Sequence, residues 1–482
     1  MSRPISRRKF LGAAGAACAG LLGARVFSSA SGAQGPPSPQ ASLHRPNIIL
    51  AMTDDQGWGD TGYNGHPVLK TPTLDEMAAT GLRFDRFYAA APVCSPTRGS
   101  CLTGRHPYRY GVFFANRGHM PPQEVTLAEA LKLAGYTTGH FGKWHLGTLT
   151  KTVRDSNRGG RPQNAKHFSP PWENGFDVCF STEAKVPTYN PMLAPGTNKP
   201  YGTYYWNERG ERVTENLEGD DSRVIMDRVI PFVRNAVAQG KPFFAVIWFH
   251  APHRPVLAGP KYRAMYADQP EGMQHYYGCI TAMDEQLGRL RAELRKLGVA
   301  ENTMLWFCSD NGPEGRATSE DAPGTAGPFR GRKRSLYEGG VRVPGILEWP
   351  AKIKKGRVTA VPCCTSDYYP TIIDVLGLKV SNQPLPLDGI SLLPLIEGKM
   401  PQRPRPIAFQ SGNQLALSDN RYKIISTDGG KSYQLFDLLA DREERNDLAQ
   451  DKPDIVARMK EELGRWRESC RQSLAGKDYR QT

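Results

Sequence analysis

The sequence lacks a hydrophobic run of membrane-spanning length. Its weakly apolar Gly/Ala/Leu stretch, Gly12 to Ala24, falls well short of the roughly 20 residues that a spanning helix needs. Cysteine is scarce too: nine in 482 residues, irregularly spaced, do not make a disulfide scaffold. No pair has the CxxC spacing of a structural zinc site, and Cys363 and Cys364 are adjacent. Internal repeats and long low-complexity tracts are absent, and the 49 Gly and 39 Pro show no collagen-like period. Residues 1–33 contain no acid, only the bases Arg3, Arg7, Arg8, Lys9 and Arg25.

What is present fits a soluble globular chain. Hydrophobic residues make up 39% and charged residues 23%, with a mean hydropathy of −0.50, which excludes a polytopic membrane protein and a disordered chain. At roughly 100–200 residues per domain, the length accommodates two or three domains. The formal charge of +14 falls to +9 without the five bases of residues 1–33. A basic protein of this kind suits anionic partners such as sulfated sugars, phosphates or nucleic acid, but scattered surface bases need no partner, so charge alone decides nothing.

The start, Ser6-Arg7-Arg8-Lys9-Phe10-Leu11 ahead of the weakly apolar stretch, resembles a twin-arginine signal, and Ala30 or Ala33 is a suitable cleavage point. We expect residues 1–33 to be a signal read by the twin-arginine export machinery. Residues 34–45, rich in Pro, form a flexible leader, and the mature chain is periplasmic or extracellular without an integral membrane segment. Short apolar runs follow at Asn47 to Met52, Phe243 to Phe249 and Met304 to Cys308, typical of strands buried on both faces. Between them lie helical stretches, among them Thr126 to Ala134 and Thr281 to Leu297. This alternation predicts an α/β fold over 46–400, with a large central, mostly parallel but mixed sheet flanked by helices. Over 401–482 the texture changes to short amphipathic strands and a last helix with the stripe Ile455, Met459, Leu463 and Trp466. That pattern predicts a small α+β domain.

Polar residues gather after the buried strands: Thr53-Asp54-Asp55-Gln56-Gly57, Ser309-Asp310-Asn311-Gly312 and His250-Ala251-Pro252-His253. In an open α/β sheet such segments converge on a crevice beyond the strands' carboxyl ends. Asp54, Asp55 and Asp310 with the amide oxygen of Asn311 form an oxygen-only donor set, suited to calcium or magnesium rather than zinc. Two further clusters are Cys94-Ser95-Pro96-Thr97-Arg98, continuing to Thr103-Gly104-Arg105, and Gly142-Lys143-Trp144-His145. A last one runs from Gly331 through Lys333 and Tyr337-Glu338-Gly339-Gly340 to Pro344. An acidic nest holding a cation and flanked by Lys, Arg and His suits an anionic ester.

These segments, in this order, resemble the type I sulfatases of the alkaline phosphatase superfamily. The resemblance spans most of the chain from Pro46 to the last helix, and Cys-x-Pro-x-Arg followed by Thr-Gly-Arg is its most specific part. It implies that Cys94 is oxidised to formylglycine by a separate formylglycine-generating maturation enzyme. It implies one divalent cation, calcium with magnesium as the alternative, on Asp54, Asp55, Asp310, Asn311 and residue 94. By the same resemblance the formylglycine hydrate attacks sulfur, Lys143 and Lys333 bind the sulfate, and Arg98 holds residue 94. His145 assists release of sulfate, and His250 protonates the leaving oxygen. Apart from the resemblance, we expect His253, in the same segment as His250, to be a substrate contact. Partners would be a sulfated carbohydrate or aryl sulfate and no nucleic acid.

The sequence departs from the family pattern at Thr97, Cys101 and Phe141, none of which removes a reacting group. Two rival readings stand at this stage: a formylglycine-dependent phosphonate or phosphodiester hydrolase, and a non-catalytic carbohydrate-binding relative. Lys143-x-His145 and Lys333 favour sulfate. The aromatics Trp172, Tyr189, Tyr201, Tyr204, Tyr205 and Trp206 lie in a long Pro- and Gly-rich stretch, where they either stack on sugar rings or pack the loop.

Overall fold

The computed structural model describes residues 45–315 and 323–479. The expected signal and all of the expected leader except Arg45 lie outside the described residues. Nine strands form one sheet: β1 (Asn47–Thr53), β2 (Leu82–Phe84), β3 (Thr137–Lys143), β4 (Val178–Thr182), β5 (Tyr205–Trp206), β6 (Phe243–Trp248), β7 (Thr303–Ser309), β8 (Gly345–Glu348) and β9 (Arg357–Thr359). Their order is β9-β2-β8-β7-β1-β6-β3-β4-β5. The central run β7-β1-β6-β3-β4 is parallel, while β8 is antiparallel to both β7 and β2, and β5 to β4. The sheet is therefore mixed with a parallel centre, as the alternation predicts.

The central strands are apolar on both faces because both faces are covered. Ile48, Leu50 and Met52 pack with Trp248 and Trp306 on one side, and Ile49 and Ala51 with Ile247 and Phe307 on the other. The second face carries α1 (Pro72–Thr80). The first face carries α2 (Cys94–Thr103), whose Cys101 and Leu102 join its core. The helices α3 (Asp221–Ala238) and α4 (Glu271–Lys296) complete the second face. Helix α4 begins ten residues before the expected Thr281. Two glycines and several polar residues in its first turns hide the helical pattern, yet Gly278 is there for packing: a Cβ would stand 2.7 Å from Ala258 Cβ. The expected helix at Thr126 to Ala134 is Leu127–Leu133, started by a Thr126/Glu129 capping box.

A second sheet, antiparallel throughout, is made of β10 (Ile407–Ser411), β11 (Gln414–Ser418), β12 (Tyr422–Ser426) and β13 (Gln434–Asp437). Strand alternation divides its side chains. Leu415, Leu417, Ile424 and Leu435 receive Met459 and Leu463 of α5 (Pro453–Leu474), while Phe409, Ala416, Ile425 and Phe436 pack on Tyr88, Leu336 and Val341. The small unit is thus clamped between its own helix and the main sheet's surroundings. Trp466 Nε1 adds a hydrogen bond to Asp388 Oδ1 at 2.8 Å.

Candidate active site

Strands β1, β7, β6 and β3 are in parallel register, so their carboxyl ends lie side by side and the polar segments after them meet. Two backbone bonds sew the ends together: Asp54 N–H to Ala251 O (3.0 Å) and Asp310 N–H to Thr53 O (3.1 Å). Cys94 is the first residue of α2, and Arg98, one turn on, points at the same place. Asp55, Asn116, His145 and Arg334 all hold positive φ (69°, 59°, 58° and 74°). Non-glycine residues rarely adopt this conformation, and here four of them surround one site. The Lys333 segment is wrapped tightly about Gly339 and Gly340, where a Cβ would come within 2.2 Å of Gly331 O and 2.0 Å of Ser335 O respectively. Only glycine permits that approach.

The buried charges are interlocked. Asp54 Oδ2 receives Lys143 Nζ at 2.5 Å and Arg98 Nη2 at 3.5 Å, and Arg98 Nη2 also reaches Asp310 Oδ2 at 2.7 Å. Lys333 Nζ bonds Asp55 at 2.6 Å and Glu314 at 3.2 Å. Asn311 Nδ2 donates to Asp55 Oδ1 at 2.7 Å, and Asp55 N–H donates to Asp310 Oδ1 at 3.1 Å. Burial would raise Asp54, yet Lys143, with Arg98, holds it well below the usual carboxylate range. Asp310 is pushed up to about 7, by burial first and then by the charge of Asp54. Burial also drives the Cys94 thiol up to about 12, although Lys143 and Lys333 oppose it. His253 falls to about 4 and His145 well below its ordinary value, again chiefly through burial, so both rings are neutral.

Two buried oxygens, Asp54 Oδ1 and Asn311 Oδ1, have no hydrogen-bond partner. Carboxylate oxygens of Asp54 and Asp55, Cys94 Sγ and a His253 ring nitrogen lie within 4.8 Å of one another. Unsatisfied oxygens in a nest of carboxylates are what a hard divalent cation needs, and the residues fit one. The neighbouring cavity, about 350 Å³, is lined by Cys94, Lys143, His145, His253 and Lys333. Their tautomers follow from their bonds: His253 Nδ1–H donates to Arg254 O (2.7 Å), leaving Nε2 toward Asp55 at 3.6 Å. His145 Nε2–H donates to Asn116 Oδ1 (3.0 Å), leaving the buried Nδ1 without a partner.

The structure thus gathers Asp54, Asp55, Cys94, Arg98, Lys143, His145, His253, Asp310, Asn311 and Lys333. It does not place His250 where the sequence reading has it. That side chain is wholly buried, with Nδ1 on Asp221 Oδ2 (2.8 Å) and Nε2 on Thr182 Oγ1 (2.8 Å), and it does not line the cavity. Both of its ring nitrogens are engaged by other side chains, and the ring that lines the cavity is that of His253. The six aromatics proposed for sugar stacking also stay out of the cavity lining. Tyr205 stacks on Phe180 at 3.9 Å, and Trp206 Nε1 bonds Asp155, so these two pack the fold. Sequence reasoning missed Asn116, Lys185, Arg254 and Glu314 of the lining. Glu314 stands three residues after Asn311 and is legible as a fourth acid; the others sit in loops without a pattern.

Residues 46–378 match the family model described as Sulfatase, and residues 327–469 match that of the N-sulphoglucosamine sulphohydrolase C-terminal region. The chain is 34% identical to N-acetylgalactosamine-6-sulfatase of Mus musculus, over 85% of this chain and 76% of that protein. It is 34% identical to arylsulfatase A of Homo sapiens, over 74% of this chain and 69% of that one. Among solved structures it resembles Ps i-CgsB in complex with k-i-k-neocarrahexaose, with a TM-score of 0.76 and 28% identity, over 88% of this chain and 92% of the other. A family model that spans residues 46–378 and a relative 34% identical over 85% of this chain place it in one family: the chain belongs to the sulfatases, enzymes that hydrolyse sulfate esters.

Proposed function

We propose that the protein releases inorganic sulfate from a sulfated carbohydrate, using formylglycine made from Cys94 beside a divalent cation, calcium or magnesium, held by Asp54, Asp55, Asp310 and Asn311. The observation that carries this reading is the meeting of Cys94 Sγ with Asp54, Asp55 and His253 inside 4.8 Å. A thiol pushed up to about 12 is not ionised at neutral pH and makes a poor nucleophile as it stands. Oxidised to an aldehyde and hydrated, the same carbon offers one hydroxyl to attack sulfur and a second to expel sulfate, which a serine does not. When bound, the cation supplies a Lewis acid that lowers the pKa of an oxygen near residue 94 and draws charge from the ester.

The chain's own residues divide the remaining work. Lys143 and Lys333, now held on Asp54 and Asp55, lie where the sulfate oxygens enter and stabilise their developing charge. Arg98, stacked over Trp248 at 5.1 Å, binds Asp54 and Asp310 and keeps the acidic nest in place. His253 presents Nε2 to the cavity and donates the proton to the leaving oxygen; an anionic ester beside it raises its proton affinity against the effect of burial. His145, neutral and with Nδ1 free, accepts a proton as sulfate departs. The carbohydrate part of the reading is supported by the names of the N-acetylgalactosamine-6-sulfatase relatives and by the oligosaccharide in the Ps i-CgsB structure. Twin-arginine export to the periplasm or beyond, after maturation in the cytoplasm, belongs to the same proposal and rests on Arg7-Arg8 and the stretch after them.

Two measurements on protein co-expressed with a maturation enzyme test it. Free sulfate is expected from defined sulfated saccharides, and the peptide containing residue 94 should carry the mass of formylglycine. Active protein with an entirely unmodified thiol overturns the mechanism, and fully converted protein that releases no sulfate overturns the activity.

A further inference from the structure

The cations around the site fall into two groups. Arg98, Lys143, Lys333 and Arg334 each have a carboxylate partner, the last through Glu314 at 2.5 and 3.0 Å. Lys185 and Arg254 line the same cavity, and among the described residues neither side chain has an ion-pair or hydrogen-bond partner. Lys185 follows the end of β4 and is half-buried; burial first, then the like charges of Lys143 and Lys333, pull it below its ordinary value against the opposing charges of Asp54 and Asp55. Holding an unpaired ammonium partly out of water beside two other cations is unfavourable, and an anion seated against it reverses the sign. The acids nearby are not that anion, because Lys143 and Arg98 already bind Asp54, Lys333 binds Asp55, and Lys333 and Arg334 bind Glu314.

Arg254 fixes the direction in which this anion lies. Its carbonyl holds His253 Nδ1, and on the proposed reading His253 Nε2 faces the leaving oxygen. The alcohol half of the substrate therefore lies against the His253-Arg254 segment, and the sulfate lies inward toward Lys143 and Lys333. A charge matched to Lys185 and Arg254 belongs to the sugar, not to the sulfate being removed. Resting on the proposed sulfatase reading, we propose that Lys185 and Arg254 form a second anion subsite that selects saccharides carrying a further sulfate or a carboxylate beside the scissile ester.

Three matched saccharides test this: one with a single sulfate ester, one with a second sulfate, and one with a uronate carboxylate in its place. The wild-type enzyme should show kcat/KM at least about tenfold higher for one or both dianionic substrates, and which of them responds distinguishes sulfate from carboxylate. Lys185→Gln and Arg254→Gln should each cut that preference several-fold, mainly through KM, and the double variant should remove it; Lys185→Arg should restore most of it. A wild-type enzyme indifferent to the second charge overturns the subsite. So do variants that lower kcat/KM for all three substrates by one common factor. Absence of sulfate release from every saccharide and from an aryl sulfate, by fully converted wild-type protein, overturns the activity and the subsite together.

Discussion

Two clusters of buried charge lie in this molecule, and they differ in what they leave unsatisfied. Where the small sheet meets the main one, Lys423 of β12 is wholly buried between Glu338 and Glu444, at 2.9 Å from each. Glu338 Oε2 also takes Tyr88 OH at 2.9 Å and Arg342 at 3.3 Å, and Glu444 Oε2 accepts the Glu338 N–H at 2.6 Å. Every carboxylate oxygen there faces a donor or a counter-charge, Glu444 Oε1 through its ion pair with Lys423 alone and without a hydrogen bond, and none of the five residues lines the site cavity. Burial pushes one acid up to about 7 in each cluster, Glu444 there and Asp310 at the site, but at the site Asp54 Oδ1 and Asn311 Oδ1 face neither donor nor counter-charge and a cavity opens beside them. Buried charge alone does not mark an active site; a closed network cements two units, while an open one is built for a missing ligand.

The comparison can be broken most forcefully at Cys94. Cys94→Ala should lower sulfate release by at least about 10³-fold while moving the unfolding midpoint only slightly, since it removes one buried thiol from a pocket with its own cavity. Comparable loss of stability would mean that the site, too, is a structural cement. Next is Lys423→Met, which strands Glu338 and Glu444 without a counter-charge and should cost about 3–5 kcal/mol in urea unfolding. A cost under about 1 kcal/mol would refute the closed-network view. The smallest effect concerns the Asp388 carboxylate, which burial would raise but Arg109, bonded at 2.7 Å, holds at about 2. A carboxylate depressed in the folded state stabilises above its ordinary value of 3.8, and that contribution is lost as pH falls toward 2. Asp388→Asn should therefore remove about 2 kcal/mol of stability at pH 6 and progressively less between pH 4 and 2. A pH-independent difference would contradict it.

The central strands were legible because apolar runs such as Ile48 to Met52 are unambiguous when both faces are buried. The C-terminal stripe Ile455, Met459, Leu463 and Trp466 was legible through its helical spacing, and all four residues pack against the small sheet's cluster. The start of α4 was not, since Gly272 and Gly278 read as breakers until Ala258 is seen against the helix. Among site residues, Asp54, Asp55, Cys94, Lys143, Asp310 and Lys333 stand in short, dense motifs. The choice between His250 and His253 was beyond local pattern, because both follow the same strand three residues apart.

The sequence by itself determined the kinds of chemistry available: which acids, bases and thiol follow which buried strands, and hence the family. Tertiary structure decided which of those groups are spent on one another. Asp221 and Thr182, distant in the chain, occupy both nitrogens of His250, while the turn at Arg254 leaves Nε2 of His253 open to the cavity. Hydrogen-bond partners remote in sequence set the availability of a proton or a charge, and only the folded chain brings them within reach.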